Sequence, residues 1–526
     1  MGKEIGIDLG TTNTVVSYVN KKNKLKVLKN SGKMITPSAI FYKSEDEWIV
    51  GYSAVEMMKV NPIAGVINFK SIIESSDKIK IVAENGDILK LRPKETASHF
   101  LNSIIKNVEN KLIKEFGIDD GVLESAVITV PAKFSSTKKE ATKYCAKVAG
   151  LKDVKLLAEP TAAAIGYQRE LGSSGKTILV YDFGGGTFDV SVLTENNGVF
   201  SEIATGGDDK LGGNNLNDRI IKLIQHVLFE DYDLDMPAID DEVDEDDFED
   251  DYKISFGSYI KNKQAIYNAS NELKEELSSL DKIDLTMDII LSDESPLLFD
   301  FTLGKEEFNN LIKPDIEKTV KITRNIINEV FDQDIVIDEI ILAGGSSQIP
   351  LVKELLEKSI DLPIVFADDV STIISRGASI SANENYGDGL VKAITNVELG
   401  IEVSQGTRFK LFEPLIFVNQ NLPYTVEKEY SLKEDNQERL KIKIFERDIK
   451  NYPNATRVFD DGVDEIDELL ISNLPSNLSK DKFSIKIIFD AKIDGSLNVS
   501  AKIIDLSTNQ MILDNEVKVN KASNLE

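Results

Sequence analysis

Two stretches of this chain have the residue types and spacing of a phosphate cradle. The first reads Ile5-Gly-Ile-Asp8-Leu-Gly10-Thr11-Thr12-Asn13, the second Val180-Tyr-Asp182-Phe-Gly184-Gly185-Gly186-Thr187-Phe-Asp189. In each, an apolar run ends in an aspartate, a Gly/Thr turn follows, and a second apolar run returns (Val15–Val19, Val190–Leu193). Glycines let the backbone approach an anion, and successive N–H groups in a tight turn point at it. Threonine hydroxyls add donors. The aspartate closing each first run, Asp8 or Asp182, can hold a magnesium ion through its water shell. Two opposed copies would clamp a triphosphate from both sides. A third motif, Ile341-Leu-Ala-Gly344-Gly345-Ser346-Ser347, offers bare backbone to a nucleoside. One such turn is weak support, since Gly-rich turns are common; three at strand ends argue against unrelated turns.

The elements around these motifs are those of an α/β domain. Residues 1–385 alternate short apolar strands (Lys3–Leu9, Ser125–Val130, Thr177–Asp182, Glu339–Leu342) with helical patterns at Thr96–Glu115, Ser136–Ala149, Thr161–Leu171, Asn214–Phe229 and Asp315–Val330. The repeated motif predicts two similar lobes facing one another. From about Val397 the pattern changes to period two, as in Tyr424–Tyr430 and Leu440–Phe445, with an Asp494-Gly495 turn before Leu497–Ile503. That predicts a hairpin-rich β-sandwich over 397–520. A linker at 386–396 precedes it and a tail at 521–526 follows.

Composition removes several classes of function. At 526 residues two or more domains are expected, and 41% hydrophobic with 29% charged residues is a soluble globular balance. The formal net charge is -28, and 14 of the 22 residues from Glu230 to Asp251 are acidic with no Lys or Arg. An acidic surface repels phosphate backbones, so nucleic-acid binding is not expected. The acidic run reads as a solvated insertion; a docking site for a basic partner is the other reading. One cysteine, Cys145, excludes an intrachain disulfide, and its helical setting favours a buried inert thiol. Two isolated histidines give no zinc site. The chain opens without an apolar signal core and has no membrane-length apolar run, so a cytoplasmic monomer is expected.

The arrangement resembles the actin, sugar-kinase and heat-shock ATPase fold, and most closely the seventy-kilodalton heat-shock (DnaK) family. That resemblance runs through Ile128-Thr-Val-Pro131-Ala, Ala158-Glu159-Pro-Thr-Ala-Ala-Ala164, Gly206-Gly207-Asp208 and Leu211-Gly-Gly213. It continues in Leu399-Gly-Ile-Glu402, Glu434-Asp-Asn-Gln437 and Asn498-Val-Ser-Ala-Lys502. The resemblance implies a chaperone that hydrolyses ATP slowly, with ATP/ADP and Mg2+ as cofactors. Its implied partners are unfolded polypeptide clients, a J-domain co-chaperone and a nucleotide exchange factor, and its setting is the stress response. By the same resemblance Asp8, Asp182 and Asp189 surround the magnesium and the attacking water. Lys70 stabilises charge and Glu159 links the metal to the domain-closing hinge. Thr11, Thr12 and Thr187 contact phosphates, and Gly10, Asn13, Gly184, Gly185, Gly186, Gly206, Gly207, Gly344, Gly345 and Ser346 complete the nucleotide cradle. Lys274 and Ser278 match nucleoside contacts, whereas Asn271 and Gln348 replace the family's Glu and Arg, which predicts weaker nucleotide affinity. The implied peptide pocket is Ile401, Val403, Tyr430, Leu440 and Ile442. Read without the resemblance, those positions are ordinary sandwich core. The implied allosteric relay is Pro131 and Lys139 with Leu390 and Val391 of the linker.

Three departures carry expectations of their own. The arch over the peptide falls on polar Ser404 and Lys433, predicting a looser or differently tuned grip. The linker, Gly389-Leu-Val-Lys-Ala393, keeps two apolar residues and has Ala393 where the family has Asp, predicting weakened docking. The sequence stops where the family's helical lid would begin, so a lidless or truncated form with fast peptide exchange is expected. Competing functions are a holdase or nucleotide sensor with weakened allostery, a small-molecule kinase, and an actin-like filament ATPase. The last two leave the β domain unexplained.

Overall fold

The structure is a computed structural model describing residues 4–20, 22, 24–44, 47–83, 85–116, 123–171, 175–237, 253–367, 369–383, 391–405, 408–432, 435, 439–472, 474, 479–508 and 510–518. Most of the acidic run, Leu390, Lys433 and the tail 521–526 therefore lie outside the described residues.

The α/β part holds two sheets of the same design. In the first, Glu4–Leu9 pairs antiparallel with Asn13–Val19 and parallel with Ser125–Val130, which pairs parallel with Asp153–Ala158. In the second, Thr177–Phe183 pairs antiparallel with Phe188–Asn196 and parallel with Glu339–Ala343, which pairs with Ile364–Phe366. Each sheet thus has a hairpin, whose turn is one of the Gly/Thr motifs, and parallel strands beside the hairpin's first arm. Such strands are covered on both faces, and their near-continuous burial (Ile178 to Phe183, for example) matches the apolar runs of the sequence.

Two helices cross between the sheets, Glu159–Leu171 and Ile373–Asn383. Their contact is close enough that a Cβ on Gly377 would fall 1.8 Å from the Ala162 carbonyl oxygen. Helix Ser136–Val148 is started by Ser135, whose side chain accepts from the Lys138 N–H. One boundary departs from the sequence reading. The helix expected at Asp315–Val330 begins ten residues earlier, at Lys305, and runs through Pro314 to Phe331. Pro314 removes one helical N–H, but Phe308 and Ile312 on the earlier turns are fully buried, and that burial offsets the loss.

The β part is two four-stranded antiparallel sheets, one with Glu398–Gln405, Arg408–Ile416, Arg439–Arg447 and Val463–Ser472, the other with Tyr424–Ser431, Phe483–Ala491, Leu497–Asp505 and Gln510–Lys518. Their inner faces share one core, including Leu399, Ile444, Phe489 and Val499.

The β part is seated on the α/β part. Strand Val391–Lys392 pairs in parallel with Phe200 and Ser201 at the edge of the second sheet, and Val391 is buried. The Ile394 N–H donates to Glu202 Oε2 at 3.4 Å. The linker residues Val391 to Ile394 thus lie against the ATPase part. The contact is made by backbone hydrogen bonds and apolar burial of Val391 and Ile394, and none of it needs a carboxylate at Ala393. Asn396 Nδ2 donates to the Ala132 carbonyl, and Lys450 Nζ donates to the Thr205 carbonyl (2.9 Å) and bridges to Glu329 (3.2 Å).

Candidate functional site

The two Gly/Thr turns meet face to face between the lobes. A Cβ on Gly185 would lie 2.0 Å from Thr12 Oγ1, and one on Gly186 would lie 2.7 Å from Thr11 Oγ1. Each hairpin delivers its aspartate to this junction. Thr129 Oγ1, on the strand beside it, donates to Asp8 Oδ1 at 3.0 Å. Asp182 stands in register with Asp189 across the second hairpin. The Lys133 N–H holds Asp189 Oδ1 at 3.1 Å. Lys70, only 1% exposed, pairs with Glu159 Oε1 at 2.7 Å.

Four carboxylates (Asp8, Glu159, Asp182 and Asp189) therefore converge around one ammonium. Burial, and after it the charge of Glu159, pushes both Asp8 and Asp189 up to about 7. Asp182 is raised well above its ordinary value as well, by burial first and then by Glu159, Asp189 and Asp8. Asp182 Oδ2, Asp189 Oδ2 and Thr12 Oγ1 are buried without a hydrogen-bond partner. Surplus negative charge with orphaned oxygens is what a hard divalent cation and its water shell would satisfy, so the residues fit magnesium.

A testable consequence follows for the metal-free protein. A carboxyl raised in the folded state adds stability that is fully present below its unfolded value near 4 and is lost as pH rises through about 7. The metal-free ATPase part should melt at a lower temperature at pH 8 than at pH 6. Magnesium with nucleotide should remove most of that difference. Calorimetric scans with chelator and with magnesium–ADP check both arms, and a metal-free melting temperature that rises with pH would refute the charge assignment.

The third glycine motif joins the same site, because Asp182 is in register with Ala343. A Cβ on Gly344 would meet Asp182 Oδ1 at 2.5 Å. Ser346 Oγ and the Gly213 N–H both donate to the Gly184 carbonyl at 2.9 Å. Lys274, whose pKa burial lowers to about 8, donates to the Gly213 carbonyl and to Asn271 Oδ1, each at 3.3 Å. Ser278 Oγ donates to the Lys274 carbonyl. Asn271 Oδ1 also accepts from Asn217 Nδ2 at 2.7 Å. Gly206 and Gly207 are placed otherwise: Ile326 fills the space beside Gly206, and Gly207 backs Asp189 across the sheet. Their lack of side chains serves packing behind the hairpin.

Of the pocket positions in the β part, Ile401, Leu440 and Ile442 are buried in the sandwich core, with Val403 and Tyr430 packed at its edge. Tyr430 Oη donates to Glu413 Oε2 at 2.6 Å and Lys428 Nζ to Glu413 Oε1 at 2.9 Å. This ties the edges of the two sheets together. Cys145 is buried, its thiol pushed up to about 12 by burial, as its helical setting predicts.

Sequence reasoning did not single out Thr129, Lys133, Phe134 or Asn217. Thr129 lies inside the Ile128–Ala132 motif and Lys133 and Phe134 just beyond it, which was the available signal. Asn217 had none, because its partner Asn271 lies more than fifty residues away. Among the described residues no helix is long and apolar enough to cross a membrane.

Comparison with known proteins agrees with this architecture. The family described as Hsp70 protein matches residues 4–526. The chaperone protein DnaK of Mycoplasmoides gallisepticum is 32% identical over all of this chain and 82% of its own length. That of Mycoplasmopsis agalactiae is 30% identical over 84% of this chain and 69% of its own.

Proposed function

The chain belongs to the Hsp70 family, and from that premise we propose how its residues divide the work. It is an ATP-dependent chaperone and an ATPase. We assign nucleotide binding and hydrolysis to residues 1–385, linkage to 386–396, and client binding to the β-sandwich at 397–520. The observation that carries the reading is the convergence of Asp8, Glu159, Asp182 and Asp189 on Lys70 between two opposed Gly/Thr turns.

In this reading the backbone N–H groups of Gly184–Gly186 and the hydroxyls of Thr11, Thr12 and Thr187 bind phosphate oxygens. Magnesium held at Asp8 and Asp182 would supply charge neutralisation on the phosphates. Lys70, fixed by Glu159, orients the attacking water in line with the γ-phosphate. Asp189, held by the Lys133 N–H, is positioned to accept the water's proton. Catalysis comes from positioning and charge, with no covalent intermediate. Lys274, Ser278, Gly344, Gly345 and Ser346 take the nucleoside side.

Clients are extended apolar segments taken at Ile401, Val403, Tyr430, Leu440 and Ile442. Pro131, Lys139, Leu390 and Val391 relay between the parts. A J-domain co-chaperone, an exchange factor, a cytoplasmic setting and a monomeric state complete the proposal. Val403 is half-buried, so it can be changed without opening the core. Val403→Asp should weaken binding of a fluorescent leucine-rich peptide at least about tenfold, since one desolvated charge costs more than about 1.4 kcal/mol. Melting of the chain should stay within a few degrees. Unchanged peptide affinity would move the client site elsewhere.

A further inference from the structure

Helix Ser136–Val148 receives part of its N-terminal cap from the β part of the chain. Its first free N–H, on Ser136, donates to Glu446 Oε2 at 3.2 Å, and Glu446 belongs to strand Arg439–Arg447 of the sandwich. Glu446 is 7% exposed, so its carboxyl leaves water when the two parts seat together. One turn along the same helix, Lys139 Nζ lies beside Gly495, where a Cβ would be only 2.6 Å away. A cavity of about 40 Å3 is enclosed here by Pro131, Lys139, Glu202, Val391, Asn396 and Asp494. It is large enough for a single water.

The segment that Glu446 caps also reaches the hydrolytic groups. Lys133 donates its N–H to Asp189, and its ammonium meets Asp448 of the β part at 3.5 Å. The Phe134 ring lies 5.3 Å from Lys70 Nζ. Glu446 therefore acts on a stretch of six residues, Pro131 to Ser136, that carries an Asp189 contact at its second step and a Lys70 contact at its third.

We propose that seating the β part on the ATPase takes up a proton at Glu446, which makes Glu446 a positioning residue whose protonation sets how firmly residues 131–136 hold Asp189. This goes beyond the functional reading above and needs only the seating itself. The protonated carboxyl keeps one oxygen to accept from Ser136, and it no longer carries a buried charge. Groups facing Glu446 come from several elements. Lys139 and the Ser136 N–H favour the charged form, and Asp464 on the paired strand opposes it. Farther groups are already engaged: Asp494 with Lys143 at 2.5 Å, Glu202 with Ile394 and Thr161, Asp448 with Lys133, Glu398 with Arg447, and Lys450 with Glu329. Lys139 is itself held below its ordinary value by burial, so it neutralises Glu446 incompletely. Burial dominates, and Glu446 rises from 4.5 to about 7.

Because the seated form has the higher pKa, its extra stability is fully present below 4.5 and is lost as pH rises through about 7. Between pH 8 and pH 6 seating should tighten by up to about tenfold. Hydrogen exchange of the Val391–Asn396 segment in the ATP-loaded full chain reads this directly. The ratio of exchange in the wild type to that in Glu446→Gln cancels the intrinsic pH dependence and any contribution from Asp8 or Asp189. The expected ratio changes about tenfold between pH 8 and pH 6, set by a midpoint of the Glu446 titration near 7. A ratio flat with pH overturns the proposal. Ser136→Pro gives a second reading: proline is tolerated at the first helical position, Ser135 is already extended, and the N–H and the hydroxyl that both favour charged Glu446 are lost together. The midpoint should then move upward. An unmoved midpoint would show that Glu446 is not the titrating group, whereas a merely structural contact would change the exchange level alone.

Discussion

Lys70→Ala is expected to lower ATP turnover by about 10²–10³-fold while nucleotide still binds. Lys70 is buried against Glu159, and its charge lowers each of Asp8, Asp182 and Asp189. Without it, four carboxylates face the phosphates with no side-chain cation to oppose them, and the attacking water loses its donor. In the proposed binding mode most phosphate contacts come from backbone and threonine hydroxyls, so binding should suffer far less than the chemical step. Single-turnover hydrolysis and calorimetric nucleotide titration separate the two. Equal losses in both would mean that Lys70 serves structure alone. Lys70→Arg should not rescue, because the larger guanidinium cannot occupy the ammonium's place between Glu159 and the Phe134 ring.

Gly377→Val should lower the melting temperature of the ATPase part. A Cβ at 377 would stand 1.8 Å from a backbone carbonyl, and neither crossing helix can retreat without opening the other lobe's sheet. Overpacking of this kind costs about 1–3 kcal/mol, occasionally more. In a part of this size that is a shift of about 1 °C for each kcal/mol. Gly377→Ala should fall in the same direction, since the offending atom is the Cβ. Calorimetry of both variants with and without nucleotide checks this, and an unchanged transition would show that the helices cross with room to spare.

The chemistry of the site was more legible in the sequence than its surroundings were. Asp8, Asp182 and their Gly/Thr turns are read from a strand–turn–strand pattern, because a hairpin keeps its chemistry within about a dozen residues. Lys70 and Glu159 are not readable this way: their partnership spans 89 positions and depends on how two lobes close. They came only through resemblance to a family. The seating surface was the least legible. Glu446 is one of several carboxylates on the strands of the sandwich, and nothing in the period-two pattern marks it as the one that leaves water. The linker contact was not legible either, because it rests on backbone pairing at Phe200 and Ser201, which no side chain of the linker marks. The early start of helix Lys305–Phe331 was not legible either, because the cost of Pro314 is offset by burial of Phe308 and Ile312 before it and Ile316 after it.

The most direct test of the account is steady-state ATP hydrolysis with and without an unfolded, leucine-rich peptide, using Lys70→Ala as the control. The account predicts slow turnover that rises when peptide is added and disappears in the variant. Turnover indifferent to peptide would contradict it, because the seated β part and the docked Val391 strand would then carry no signal between the two sites.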